Sequence, residues 1–141
     1  MTELLLTLHV LAGLLFIGPV TVATSLFPRY VRERNLAAAL LLNRVSRVYA
    51  LMSVTVPVFG LALALRTDVL TEAWLLASLV LTVVAAVVLG LLVVPGQKRL
   101  LAGLRDDTTD PKAVRMAAMP AGIFALLWVV VAVLMVLRPG A

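Results

Sequence analysis

The stretch AWLLASLVLTVVAAVVLGLLVV, residues 73–94, decides the fold. It carries no charge, and about 20 apolar residues in helical form are enough to cross a hydrocarbon core of about 30 Å. A lipid-exposed backbone must satisfy its own N–H and C=O groups, which a helix does within one segment. The stretch is too long, and alternates too little, for a barrel strand. Three further runs, 4–27, 48–65 and 116–137, have the same character, and none contains Asp, Glu, Lys or Arg. The expected fold is therefore all-α, a polytopic membrane protein with a four-transmembrane-helix bundle forming a single domain over residues 1–141.

Composition supports this solvent. Of 141 residues, 63% are hydrophobic and 13% charged, against about 45–50% and about 25% in soluble domains. A mean hydropathy of +1.14 would leave a water-soluble domain of this size covered in apolar patches. There is no cysteine, which excludes disulfide scaffolds, thiolate zinc sites and thiol catalysis.

The net charge of +5 reads as a sidedness signal rather than a nucleic-acid footprint. Arg29, Arg32, Arg34, Arg44 and Arg47 lie between the first two runs, and Lys98, Arg99, Arg105, Lys112 and Arg115 between the last two. Only Arg66 and Arg138 fall on the other side. The positive-inside rule then places both basic connections in the cytoplasm and both termini outside, in a bacterial plasma membrane. The first run has no base before it, so it reads as a permanent helix rather than a removed signal peptide. Asp110-Pro111 reads as an N-cap followed by proline at the first helical position, and Thr71 or Asp68 as a cap for the third helix.

In lipid, helices associate through small residues that let backbones approach. Such stripes recur: Gly18, Thr21 and Ser25; Ser46, Tyr49, Ser53, Pro57, Gly60 and Ala64; Ser78, Thr82, Ala86 and Gly90; Ala118, Ala121, Ala125, Trp128 and Ala132. They read as the inner seam of the bundle, or, for the hydroxyls, as a polar path for a small solute. Pro57 and Pro120 are expected to kink their helices. Pro28 with Arg32 and Pro95 with Arg99 give a weak echo between the two halves, consistent either with two related hairpins or with coincidence.

His9 is the one side chain that points to chemistry. An imidazole inside a spanning segment must be satisfied, titrated or ligated. It reads either as a haem, porphyrin or metal ligand, or as a histidine bonded to a neighbouring helix or water. A haem or copper site would need Met52, Met116 or Met119, or the His9 of a second copy, as a further donor. No acid lies within a span, which excludes the buried-carboxylate mechanism of small proton-coupled exporters. Asp106, Asp107 and Asp110 lack the spacing and closing glutamate of a calcium loop.

Leu8-His9-Val10-Leu11-Ala12 with Gly18, the Pro57/Gly60 second helix, Glu72-Ala73-Trp74-Leu75 and Pro95-Gly96-Gln97-Lys98-Arg99 resemble a family of uncharacterised small bacterial four-helix membrane proteins. The layout is more distantly similar to CopD-like copper-resistance domains and HemJ-type protoporphyrinogen oxidases. That resemblance implies a haem-ligand role for His9. The third run departs from the HemJ type by having no lysine, which leaves an oxidase without its partner residue. Taken together, the sequence points to a non-enzymatic structural or accessory component of a membrane complex, associating with itself or with larger partners. A haem-, porphyrin- or copper-handling protein and a small-solute permease are the alternatives.

Overall fold

The computed structural model describes residues 2–140. Four long helices account for nearly all of them: α1 (Thr2–Arg32), α2 (Leu36–Thr67), α3 (Ala73–Arg105) and α4 (Pro111–Leu137). No strand is present among the described residues. Each helix is long and apolar enough to cross a membrane, and each extends beyond its uncharged run. The chain is an integral, multi-pass membrane protein.

Helix ends obey local chemistry. Asn35 caps α2 by accepting from the Ala38 N–H at 3.1 Å. Asp110 caps α4 by accepting from Lys112 N–H at 3.0 Å, with Pro111 in the first turn. The third helix departs from expectation. Its N-cap is Glu72, with no side-chain bond, whereas Asp68 adopts a left-handed conformation (φ 56°) and closes α2.

Prolines explain the irregular turns. The π-helical segments Gly13–Ile17 and Val88–Val93 lie just before Pro19 and Pro95. A proline lacks the N–H for the carbonyl four residues back and crowds it. Those carbonyls, on Leu15 and Leu91, sit inside the widened turns, where Gly18 N–H instead reaches Gly13 O and Val94 N–H reaches Leu89 O. Pro57 acts on α2 in the same way: the helix is interrupted at Ser53 and Val54, and Val56 N–H bonds Ser53 O at 3.0 Å. Pro120, by contrast, sits within an uninterrupted α4.

The bundle differs along its length. At the basic end, Phe27, Val31, Ala39, Leu100, Leu101 and Val114, drawn from all four helices, form one buried cluster. A second cluster joins Val20 and Phe124 to Ala85, Leu89 and Val93. Towards the termini the helices pair off, with the start of α1 on the end of α2 and the start of α3 on the end of α4.

Candidate functional site

His9 sits about two turns into α1, half-buried against α2. Its Nδ1 lies 2.9 Å from the Val56 carbonyl oxygen. A carbonyl only accepts, so Nδ1 carries the hydrogen and donates it. In the neutral ring, Nε2 is then an unprotonated lone pair, and it has no hydrogen-bond partner among the described residues. One turn on from Val56, Gly60 makes room for the ring: a Cβ there would lie 2.8 Å from His9 Cε1, 3.1 Å from Nδ1 and 3.6 Å from Nε2. Glycine is needed here for the close approach. On the same two helices Ala12, Ile17 and Val56 form a buried cluster, with Phe16, Phe59 and Trp128 packed on it. This orients an imidazole, fixes its tautomer and leaves one nitrogen able to coordinate.

The surroundings supply little else. Among the described residues no three His, Asp or Glu side chains converge. Met52, Met116 and Met119, the expected thioether partners, are all exposed on helix surfaces. The Trp74 and Trp128 indole N–H groups are buried and have no partner among the described residues.

A second constellation lies in the basic half. Asn43 Nδ2 donates to Gln97 Oε1 at 2.8 Å, and Gln97 Nε2 donates to Ser46 Oγ at 3.3 Å. All three residues are buried, and they bolt α2 to α3. Sequence reasoning misses Asn43 and the Gln97 side chain. Asn43 lies one turn before Ser46, and Gln97 comes directly after a proline-glycine pair, so two amides flanking apolar runs are the signal that could have found them.

A family model for the Predicted integral membrane protein (DUF2269) matches residues 3–139. The chain belongs to this DUF2269 family. No curated protein and no solved structure matches the chain significantly.

Within this DUF2269 bundle the expected seam residues divide. Ser78 is buried, Ser53, Pro57, Gly60, Thr82 and Ala125 are half-buried, and Gly18 and Gly90 are exposed with nothing within 4 Å of a Cβ built on them. The seam leaves those glycines. Four-residue steps advance about 40° around a regular helix, so the Ser78-to-Gly90 stripe walks out to the lipid. Past the widened turn of α1 the inner face is Val20, Thr24, Phe27 and Val31, and on α3 it is Ala85, Leu89, Val93 and Gln97, only the last of which lies past that helix's widened turn. The hydroxyls turn back on their own helices: Ser53 to Ala50 O at 2.6 Å, Ser78 to Trp74 O at 2.8 Å, Thr82 to Ser78 O at 2.7 Å. Each hydroxyl hydrogen is thus used within its own helix, as is common for Ser and Thr in membrane helices. Arg29, Arg32, Arg44, Arg47, Lys98, Arg99 and Arg115 are all exposed, and Arg29 pairs with Glu33 at 3.3 Å.

Proposed function

We propose that this chain is a non-enzymatic membrane component whose His9 Nε2 would hold a metal-bearing macrocycle of the haem or porphyrin class. The observation that carries this is the Nδ1–H bond to Val56 O, which leaves Nε2 as the coordinating nitrogen. One imidazole cannot hold a bare ion, because transition metals take several protein donors. A macrocycle brings four in-plane donors and asks the protein for only one or two. His9 would hold such a group, together with the His9 of a second copy. When bound, the group would supply redox or ligand-binding chemistry. The chain's own residues orient the imidazole, through the Val56 carbonyl and the space left by Gly60.

In this reading the basic end faces the cytoplasm of a bacterium and His9 lies in the outer half of its plasma membrane, as the arginine distribution supports. The second reading, an accessory subunit of a larger membrane complex, is favoured by the Nδ1 bond to Val56 O, which gives His9 a place between α1 and α2 without any ligand. The deciding experiment is to purify the protein in mild detergent, record its visible spectrum and metal content, and titrate it with haemin. A Soret band that is lost in His9→Ala supports the proposal. A colourless, metal-free protein whose haemin spectrum is unchanged by His9→Ala refutes it and leaves the accessory role.

A further inference from the structure

At the basic end, the tips of α1 and α4 enclose a cleft of about 530 Å³. Its walls bring Arg32 and Arg34, at the end of α1, together with Arg115, in the first turns of α4. These residues are far apart in sequence, so the cluster is a product of the fold. Arg34 Nη1 lies 3.3 Å from Asp107 Oδ1, but both side chains stand largely in the open, 72% and 82% exposed. Arg32 and Arg115 have no acidic partner among the described residues. The other nearby acids are engaged elsewhere: Glu33 with Arg29, and Asp110 with the start of α4. The cleft thus keeps a surplus of positive charge. Its floor is the exposed ring of Pro111, packed over the buried Val31 and Val114. A neighbouring cleft of about 300 Å³ has no such surplus, because Asp106 and Asp110 line it together with Arg99.

We propose that the larger cleft binds the phosphodiester headgroup of an anionic phospholipid. Arg32, Arg34 and Arg115 grip the phosphate, and the glycerol end rests on the exposed ring of Pro111. The cleft lies between the end of the uncharged run 4–27 and the start of the run 116–137, at the depth where headgroups sit. A guanidinium matches phosphate oxygens in a two-pronged fashion that an ammonium cannot. Inorganic phosphate shares the anionic chemistry but gains nothing from the aliphatic floor, so the lipid is the better fit.

The test measures binding of dioctanoyl phosphatidylglycerol, dioctanoyl phosphatidylcholine and inorganic phosphate to the full chain in a neutral detergent. Phosphatidylglycerol is expected to bind most tightly. Removing a base near the site costs about fivefold in affinity, so R32Q/R115Q weakens phosphatidylglycerol about 25-fold. R44Q/R47Q, which loses the same charge outside the cleft, stays within about twofold, and R32K/R115K, which keeps charge but loses the fork, falls between the two. Monodisperse elution of each variant shows that it folds. Equal weakening in R44Q/R47Q, full affinity in R32Q/R115Q, or inorganic phosphate binding as tightly as phosphatidylglycerol would each overturn the proposal.

Discussion

Gly60→Ala probes the His9 contact directly. The added Cβ would sit 2.8 Å from His9 Cε1, well inside the roughly 3.5–4.0 Å of comfortable carbon contact. The ring must swing away or the two helices must part, and overpacking of this kind costs about 1–3 kcal/mol. Either movement strains the 2.9 Å bond to Val56 O, and such an interhelical bond in a membrane is worth about 0.6 kcal/mol on average and about 1.7 at most. Alanine returns up to about 1 kcal/mol through helix propensity. The net expectation is a loss of about 1–2.5 kcal/mol. In a His9→Ala background the ring is gone, the clash vanishes and only the propensity gain remains, so the same substitution becomes neutral or stabilising. The double-mutant cycle should therefore show a coupling of about 1–3.5 kcal/mol, against about 0.5–3 kcal/mol for contacting residues in general. Reversible unfolding of the four proteins in mixed micelles, or steric trapping in bicelles, measures it. A coupling below about 0.5 kcal/mol would mean that His9 and Gly60 do not touch, and the orientation argued for Nε2 would fall with it.

The same geometry sets three other outcomes. Gln97→Ala strips partners from two buried polar groups at once and should cost about 1–3 kcal/mol; a cycle with Asn43→Ala that proved additive in the same unfolding assay would show that the amides do not bond. Arg138 lies 5.3 Å over the Trp74 ring, so Arg138→Gln should alter Trp74 fluorescence and lower stability by about 0.5–1 kcal/mol, and an unchanged emission spectrum would argue against the contact. A phosphatase reporter should be inactive when fused after Asp107 and active when fused after Ala141, and the reverse pattern would invert the orientation drawn from the arginines.

The features legible in the sequence are those that depend on transfer into lipid. Uncharged runs and flanking arginines are large, local signals, and so are the Asp110-Pro111 start and the singular His9. The features hidden from it depend on rotation about the helix axes. Stripes assumed to advance in four-residue steps place Gly18 and Gly90 inside, but the drift of those steps leaves Gly90 outside the face that Ser78 and Ala85 share, and past the widened turn ahead of Pro19 the buried position is Val20 rather than Gly18. The partner of His9 is out of reach for a similar reason. A carbonyl has no sequence identity, and Val56 O becomes recognisable only once α1 and α2 are laid side by side. Gly60 can be read as a place of close approach, but not as the place where an imidazole approaches.

Polar side chains divide the bundle unequally, and that division bears on how the His9 half behaves. In the basic half, Asn43, Ser46 and Gln97 tie α2 to α3 inside a cluster that all four helices share. In the other half, the one interhelical hydrogen bond among the described residues is His9 to Val56, and it stays within the α1–α2 hairpin. Between the hairpins there, only apolar contacts act, such as Trp128 against the Phe16 and Val56 cluster and Ala64 against Trp74 and Leu75. Regions with fewer tertiary constraints open at lower free energy, so backbone amides of residues 2–12 should exchange faster than those of residues 96–101. A ligand coordinated by Nε2 would bind in that looser half and stiffen it. With haemin bound, exchange should slow in residues 5–16 and 56–64 and stay unchanged around Asn43 and Gln97. If exchange slowed uniformly, or only at the basic end, haemin would be acting elsewhere, and His9 would be a packing residue alone.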